Sequence, residues 1–578
     1  MDALGPPPLT GGVTRLILLS LLLLGPSGLR AQTRREGATP AHVRELYKQG
    51  RWQALLDQIP NSPNLPADLL FYRGMALARL GRLHAARGLL LSGQQRFPKD
   101  KRFPVELAGI AFLQKNYRVA RSELRRALRV DPQDHYANEF LGTIYFLQHN
   151  LDGALKYWNR AGEPKIGQVH TSPSLRIDPE LLDRAFVFSP ASVLELSALQ
   201  LSRARLAQLG IFPRFRFDLV PAAPQETRAA YDLDFRAAER DGLGSSRLEG
   251  LLGLVSGVPY DTLYPDFYDI EHRAINLTSL VRWDPQKRRL HVALSAPLHG
   301  DPAWRARAYA DVRDENWDLA TTLHQHGPAL TDLKLRRWAV GADLHSIIGA
   351  RWSLGTGVSL ERRTFGNFGL SDLSHNAAFT SSFSLQYRLG MNTVLLDWPG
   401  RRLRLNSRAA VQLGKMFTSP SHLYARAEAS LGAVWFPHAQ GADDEITETV
   451  HVGGISGTVP LDELFILGLE RDNNLPLRAH IGTHDGMKGS APLGRDYFLS
   501  NWEIRKNVYR SPWFQVKLGP FLDTGRITGE SGLFGSRHWL WDTGAEGRLR
   551  VLTGLHVILT YGKDLRTGRN TFYATVLR

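Results

Sequence analysis

Residues 402–413 (RLRLNSRAAVQL) and 423–431 (LYARAEASL) decide the architecture of the C-terminal part of this chain. In both stretches apolar residues alternate with polar or charged ones, which is the two-residue period of a β-strand with two unlike faces. The same alternation recurs over 304–313 and 351–361. Each stretch has about ten residues, whereas strands of soluble proteins usually have about five or six. The pattern predicts a sheet of long strands over residues 243–578.

The alternation fits two arrangements of the strands. In a soluble sandwich the apolar faces would form a dry core, whereas in a transmembrane barrel they face lipid and the charged faces line the lumen. Tilted strands of about nine to eleven residues span a bilayer, which favours the barrel. Aromatic residues near strand ends suit the membrane interfaces; they are Trp304, Trp352, Trp435, Trp513 and Tyr561. We therefore predict a transmembrane antiparallel β-barrel of about 16 strands.

The N-terminus carries the features of an export signal. Arg15 precedes the apolar run 16–24 (LILLSLLLL), Gly25-Pro26 follows, and Ala31 ends a plausible cleavage site. The run is shorter than the roughly 20 residues that a membrane-spanning helix needs. We predict a signal peptide over residues 1–31, with an uncleaved N-terminal anchor as the alternative.

Composition excludes several classes of function. The 578 residues suggest two to four domains, and the net charge of +15 is spread along the chain without a nucleic-acid-binding motif, so we predict no nucleic acid among the partners. The chain contains no cysteine, which excludes disulfides, Cys-ligated zinc and a thiol nucleophile. Neither a G-x-S-x-G elbow nor an H-E-x-x-H motif nor a phosphate-binding loop is present. We therefore predict a protein that is not an enzyme, with no cofactor, metal site or catalytic residue.

Three blocks of 34 residues follow one another over 67–168. Small residues recur at the eighth and twentieth positions of each block, where the helices of a hairpin approach closely; they are Gly74, Ala86, Ala108, Ala120, Gly142 and Ala154. Leu90, Leu124 and Trp158 fill the space between the helices. The period resembles the tetratricopeptide repeat, which we predict over residues 40–168. Such repeats form a groove that binds a peptide or protein, here periplasmic proteins, although the helices could also be only a spacer.

The pattern of residues 169–241 predicts a small α/β module. A helix over 191–209 ends at Gly210, and alternating strands follow over 211–219 and 231–236. This order, with an earlier helix near 179–186, resembles the closing half of a POTRA domain, the periplasmic module found before insertase barrels.

Three short motifs stand in order near the C-terminus. They are Leu475–His480 in a long loop, Trp502–Arg505 in a strand, and Phe521–Gly525 in the next strand. They resemble the signatures of the BamA/TamA insertase and two-partner-secretion superfamily. The resemblance implies that the loop tip folds back into the lumen and that its arginine meets acidic side chains there; the implied lumenal set is Arg478, Glu503, Arg505, Phe521, Asp523 and Gly525.

The sequence departs from this superfamily at two places. The loop tip reads Arg478-Ala479-His480 where the superfamily has glycine and an aromatic residue after the arginine, and the chain ends without a terminal aromatic residue. An alternative interpretation treats Arg478 as an ordinary exposed loop residue.

The resemblance implies a non-enzymatic factor of the bacterial outer membrane, with its N-terminal domains in the periplasm. Its partners would be outer-membrane lipid and unfolded or secreted client proteins, which the barrel inserts into the membrane or translocates across it. Two alternatives stay open at this point. One is an exporter or passive pore for a polymer such as polysaccharide, with the repeats as scaffold, and the other is a soluble periplasmic scaffold.

Overall fold

The computed structural model describes residues 40–577 apart from 63, 223–229, 325–329, 370–375, 439–440, 442, 512, 530–532, 537 and 552–554. The predicted signal peptide lies outside the described residues. The chain divides into two compact units, Met1–Gly167 with Pro221–Tyr231 and Gln168–Val220 with Asp232–Arg578.

Helical hairpins build the first unit. Its helices are α1 Pro40–Lys48, α2 Trp52–Gln58, α3 Ala67–Arg79, α4 Leu83–Arg96, α5 Arg102–Leu113, α6 Tyr117–Val130, α7 His135–Leu147 and α8 Leu151–Trp158. The side chains of Asn116, Asp134 and Asn150 accept a hydrogen bond from the first turn of α6, α7 and α8. Such caps satisfy backbone N–H groups that have no partner inside the helix, and they fix where each helix begins.

Close approach of the paired helices requires the small residues of the 34-residue period. A Cβ atom added at Gly74 would lie 2.7 Å from Cδ2 of Leu90, and one added at Gly142 would lie 2.3 Å from Cδ1 of Trp158. Ala86, Ala108, Ala120 and Ala154 are fully buried. The sequence period thus corresponds to a repeated contact between a small residue and a large one.

We expect Gly142→Ala to destabilise the repeats, because the added methyl group overlaps the Trp158 ring. Overpacking of this kind costs about 1–3 kcal/mol. Gly88→Ala in α4 is the matched control, since a Cβ atom there meets nothing within 4 Å. It should stabilise the helix by up to about 1 kcal/mol. Urea unfolding of the full chain, followed by helical circular dichroism, measures both changes, and equal effects would contradict the packing argument.

A small α/β module opens the second unit. It contains β1 Lys165–Ser172, α9 Pro179–Ala185, α10 Leu196–Leu209, β2 Arg214–Pro221 and β3 Ala230–Ala238, with sheet order β1-β3-β2. Helix α10 begins five residues later than predicted because Ala191 has a φ of 65°, which no helix accommodates. Gly210 ends it in the left-handed conformation, as predicted. Strand β2 begins after Pro213, which lacks a backbone donor.

A closed antiparallel barrel forms the rest of this unit. After helix α11 (Arg247–Val255), two short strands, β4 Thr262–Leu263 and β5 Phe267–Ile270, pair in succession with β6. The long strands are β6 Ile275–Trp283, β7 Lys287–Leu298, β8 Asp301–Trp317, β9 Leu333–Gly349, β10 Trp352–Gly366, β11 Ser382–Trp398, β12 Leu403–Phe417, β13 His422–Trp435, β14 Asp444–Gly457, β19 Asp496–Arg510, β20 Phe514–Thr528, β21 Leu540–Val551, β22 Leu555–Asp564 and β23 Asn570–Leu577. Many exceed the ten residues predicted, and β8, β9 and β11 each have 17.

The apolar rows of the strands face outward. Val411 and Leu413 on β12 are 43% and 50% exposed, and Leu423 and Leu431 on the neighbouring β13 are also exposed. Glu361, on the inward face of β10, is fully buried. The rows therefore do not form a dry core, and the sandwich arrangement is wrong for this sheet. None of the described helices is long and apolar enough to cross a membrane.

The module contacts one end of the barrel, where the strands are joined by short turns. There the Arg305 guanidinium donates to the carbonyl of Leu209 at 2.8 Å, and the Gln200 amide donates to Asp397 at 2.9 Å. Because the last carbonyls of α10 have no N–H donor inside the helix, Arg305 also caps that helix. We call this end the module end and the opposite one the loop end.

Candidate functional site

The segment between β14 and β19, residues 458–495, occupies the barrel interior, and we call it the lumenal loop. It contains the short strands β15 Phe465–Ile466, β16 Thr483–His484, β17 Met487–Lys488 and β18 Leu493–Gly494. Its apolar side chains join inward-facing wall residues in one buried cluster that includes Leu461, Leu477, Leu493, Phe365, Met416 and Ile527. The interior is therefore not uniformly charged, as the alternation alone suggested. At inward positions near the loop end the strands carry apolar residues, and these hold the lumenal loop.

Arg478, at the tip of this loop, binds a carboxylate of the barrel wall. Its Nε and Nη2 donate to the two oxygens of Asp523 at 2.9 and 2.7 Å, and its backbone N–H donates to the same carboxylate at 3.0 Å. Both side chains are buried. A bidentate pair of this kind combines charge with fixed orientation. Arg478 is thus not an ordinary exposed loop residue.

Further wall residues surround the same guanidinium. Glu546 and Glu503 approach its Nη1 at 3.3 and 3.5 Å, and the Phe521 ring lies 3.8 Å from its Cζ atom. Burial lowers the pKa of Arg478, but Asp523 and the two glutamates outweigh burial, so the pKa lies above its usual value. The guanidinium therefore stays charged, and the surrounding carboxylates balance its charge in the buried site.

The structure gives the other predicted residues distinct positions. Arg505 contacts two carboxylates of the wall, Glu503 at 3.1 Å and Glu445 at 3.5 Å, and so helps to neutralise a carboxylate that also lies near Arg478. Gly525 lies farther along β20, where an added Cβ atom would be 3.2 Å from Cδ1 of Leu467 in the loop. Gly562 on β22 is closer still, since a Cβ atom there would lie 2.4 Å from the carbonyl oxygen of Arg478.

The unusual tip residues bind wall carboxylates that the sequence analysis missed. The backbone N–H of Ala479 donates to Asp542 at 2.6 Å, and Nδ1 of His480 lies 3.1 Å from the same carboxylate. Nε2 of His480 lies 3.9 Å from Asp564. Asp542 pairs with Asp523 in the strand register, so the inward parity of β21 was the signal that could have identified it. We call this set of contacts the Arg478 anchor.

A second anchor, also missed, fixes the lumenal loop to β9, β10 and β13. Asp462 accepts from Nε of Arg363 at 2.8 Å and from Nη1 of Arg337 at 3.2 Å. Glu463 contacts Arg363 at 2.5 Å and Arg426 at 3.6 Å. Burial raises the pKa of Glu463, but Arg363 and Arg337 outweigh burial, so the pKa lies below its usual value. Here the loop supplies the anions and the wall supplies the cations, and we call it the acidic anchor.

A third anchor joins the loop to β6, β7 and β8. Asp472 accepts from Arg289 at 2.8 Å and from Arg282 at 3.1 Å. Lys488 donates to Glu315 at 2.8 Å, and Lys287 lies 3.3 Å from Glu470. We call it the mixed anchor, because the loop supplies both anions and a cation to it. Together the three anchors hold the lumenal loop to three different groups of wall strands.

Comparison with known proteins identifies the helical repeats. Residues 107–166 match the tetratricopeptide repeat model. The first unit contains tetratricopeptide repeats. No curated protein matches the chain.

Solved structures that match this chain have low sequence identity to it. BamA from Haemophilus ducreyi lacking POTRA domains 1–3 is 10% identical, with 72% of this chain and 85% of that chain covered and a TM-score of 0.41. CdiB from Acinetobacter baumannii is 11% identical, with 71% and 73% covered and a TM-score of 0.41. CdiB from Escherichia coli is 12% identical, with 72% and 76% covered and a TM-score of 0.46.

The first helices of the hairpins carry exposed aromatic and apolar side chains, and we call this surface the aromatic groove because stacked repeats of this kind form one. Tyr136 on α7 is 60% exposed and Leu113 on α5 is 59% exposed. The rings of Phe112 and Phe140 lie 5.3 Å apart beside them. Burial raises the pKa of Glu106 on α5 to about 7, although Arg79 opposes the shift. The groove therefore combines apolar contact area with a carboxyl group that titrates near neutral pH.

Proposed function

We propose that this chain is an outer-membrane factor for protein assembly or translocation, with a periplasmic arm that binds proteins. The observation that carries the proposal is the Arg478 anchor. It places the arginine of the Leu475–His480 motif on the aspartate of the Phe521–Gly525 motif, inside a closed barrel. The two motifs are 45 residues apart in sequence, and their contact is the feature that the superfamily resemblance implies.

The outer wall supports a membrane location. Exposed apolar side chains cover the strands, and exposed tryptophans stand near both ends of the wall: Trp304, Trp352, Trp435 and Trp513 at the module end, and Trp283, Trp539 and Trp541 at the loop end. Two aromatic belts that flank an apolar band are typical of transmembrane barrels. The module and the repeats precede the barrel in sequence, so we place them in the periplasm, after an export signal over residues 1–31.

The arm offers two kinds of surface to a polypeptide. The aromatic groove suits an apolar peptide, and β2 is an edge of its three-stranded sheet, where an extended chain could pair. Neither contact requires a chemical reaction, so the proposed activity is non-enzymatic. Unfolded or secreted proteins would be handed from the arm to the barrel.

A passive pore or polysaccharide exporter is the competing function. Such a pore needs an open lumen, whereas here the lumenal loop is packed on an apolar cluster and held by three anchors. Planar-bilayer recordings separate the two functions. We expect little conductance from the wild-type protein, and a large steady conductance would favour the pore.

Site-specific photo-crosslinking tests the proposed function. A photoreactive residue at Leu113, Tyr136 or Arg214 should trap polypeptides in living cells, because the first two line the groove and Arg214 is exposed on the edge strand β2. Arg118, exposed on the second helix of its hairpin, is the matched control and should trap much less. Fractionation should place the protein with outer membranes. Recovery in the soluble fraction, or the absence of a trapped polypeptide at all three positions, would overturn the proposal.

A further inference from the structure

Equivalent positions of successive repeats lie side by side in the aromatic groove. Arg102 on α5 follows Asp68 on α3 by 34 residues, and its Nη2 donates to that carboxylate at 2.7 Å. Residues one repeat period apart are therefore neighbours on adjacent hairpins. By the same period, Tyr72, Glu106 and Phe140 form one row across α3, α5 and α7. The row places a carboxyl group between two aromatic residues.

Two more tyrosines border this row. The ring of Tyr47 on α1 lies 4.8 Å from that of Tyr72, and the ring of Tyr136 on α7 lies 5.9 Å from that of Phe140. Burial, and next the charge of Glu106, raises the pKa of both Tyr47 and Tyr136. The carboxylate is thus close enough to influence side chains on both sides of α5, and aromatic residues flank it in both directions.

Glu106 has no counter-ion in the groove. Its neighbour Arg102 is already paired with Asp68 at 2.7 Å. Arg79 influences Glu106 electrostatically, but its guanidinium lies over the Trp52 ring, 5.9 Å from the ring centre. Among the described residues of the first unit, none forms an ion pair or a side-chain hydrogen bond with the Glu106 carboxyl group. A half-buried carboxylate without a cation is unfavourable, so a ligand that supplies a cation is favoured.

Gly109 leaves space beside this carboxyl group. It is half-buried and lies one helical turn after Glu106 on α5. The nearest atom to a Cβ atom added at Gly109 would be Oε2 of Glu106, at 3.9 Å. By contrast, a Cβ atom at Gly142 would overlap the Trp158 ring. The surface next to the carboxylate is therefore open to the end of a ligand side chain, whereas a larger residue at position 109 would cover it.

We propose that the aromatic groove recognises a lysine or arginine side chain of a client polypeptide, with Glu106 as its anion and the surrounding tyrosine rings as its walls. Aromatic faces attract cations, and a carboxylate adds a charge-assisted hydrogen bond. Both side chains join the cation to an apolar stem, which suits the rest of the groove. This inference rests on the proposed protein-binding arm and adds the chemical class of the residue that the arm binds.

The site should respond to pH near neutrality. Burial raises the pKa of Glu106 to about 7 against the influence of Arg79, so the group is an anion above this pH and a neutral acid below it. Tyrosines, arginines and an exposed carboxylate surround it, and side chains of these kinds do not change charge between about pH 6 and pH 8; they are Tyr47, Tyr72, Arg79, Arg102, Tyr136 and Glu139. Binding of a client cation should therefore weaken as the pH falls through 7.

Fluorescence anisotropy of the full chain in nonionic micelles tests the site. Three short peptides share uncharged flanks of alanine, serine and leucine, an N-terminal neutral fluorophore and an amidated C-terminus, and differ only in a central lysine, glutamine or glutamate. At pH 8 we expect the lysine peptide to bind about tenfold more tightly than the glutamine peptide, and the glutamate peptide to bind least. At pH 6 the lysine peptide should bind about tenfold more weakly than at pH 8, because about one Glu106 carboxyl in ten stays charged.

Two variants and a matched control locate the effect. Glu106→Gln should remove both the lysine preference and its pH dependence, while the glutamine peptide binds as it does to the wild type. Gly109→Leu should weaken binding of the lysine peptide by filling the space beside Glu106. Asp57→Asn makes the same change of charge at an exposed position of α2, the second helix of its hairpin, and should leave all three affinities unchanged. Helical circular dichroism confirms that each variant is folded.

The peptides separate the possible failures. Equal binding of the lysine and glutamine peptides to the wild type, or a lysine preference that survives Glu106→Gln or Gly109→Leu, would overturn the inference and leave a protein-binding groove intact. Absence of binding by all three peptides would overturn the inference together with the part of the aromatic groove in the proposed function.

Discussion

Arg478→Ala and Asp523→Ala are each expected to abolish client assembly and to destabilise the barrel. Each change leaves a buried charge of the Arg478 anchor without its main partner, which typically costs about 3–5 kcal/mol. Arg478→Lys keeps the charge but loses the bidentate geometry, so its effect should be intermediate. The measurements are the unfolding free energy of the barrel in detergent micelles and the amount of client protein assembled in cells.

Asp485→Asn is the matched control for these variants, because Asp485 belongs to the same loop, its side chain is 79% exposed, and asparagine also suits its left-handed φ of 47°. It should change stability by less than about 0.5 kcal/mol. The double variant of Arg478 and Asp523 should cost less than the two single changes added together, since the two residues contact each other. Wild-type stability and client assembly in both single variants would contradict a role for the Arg478 anchor.

Arg363→Met should have a comparable effect on stability through the acidic anchor. Arg363 is fully buried and binds Glu361, Asp462 and Glu463. Its removal leaves these carboxylates undercompensated, at a cost of about 3–5 kcal/mol. Because Asp462 and Glu463 tie the lumenal loop to the wall, we also expect loosening of the loop, seen as intermittent conductance in planar bilayers.

Arg362→Met is the matched control for this variant, because Arg362 is the adjacent residue on the exposed face of β10. A second comparison adds Asp462→Asn and Glu463→Gln to Arg363→Met. The two added changes neutralise the loop carboxylates that lose Arg363, while Glu361 keeps Arg337 as a partner at 2.9 Å, so this triple variant should recover part of the lost stability. If Arg363→Met matched Arg362→Met in stability and conductance, the acidic anchor would be only a packing contact.

Local periodicity was sufficient to predict the strands and the repeats. The alternation over 402–413 gives the correct outward face of β12, because side-chain direction in a strand depends only on parity. The 34-residue period also gives the helix contacts at Gly74 and Gly142, since each block is one structural unit. Arg478 and Asp523 could be paired in advance only through their motifs, because no local rule links residues so far apart.

Contacts that depend on strand register could not be predicted from the sequence. Asp542 and Glu546 lie on β21 at the parity of the lumen, but only the pairing of β20 with β21 brings them to Arg478. The acidic anchor has the same origin, since Asp462 reaches Arg337 and Arg363 across more than 90 residues. The helix start at Leu196 was missed because the left-handed conformation of Ala191 leaves no mark in composition.

The three anchors use strands from different parts of the sequence, so the lumenal loop cannot be fully docked until the last strands are in place. The acidic and mixed anchors use strands that precede the lumenal loop, whereas the Arg478 anchor uses β19–β22, which follow it. The first part of the loop can therefore dock on earlier strands, whereas the Arg478 guanidinium has no counter-ion until the final hairpins are in place. A truncated or misregistered C-terminus would leave this cation in the interior without Asp523 and Glu546.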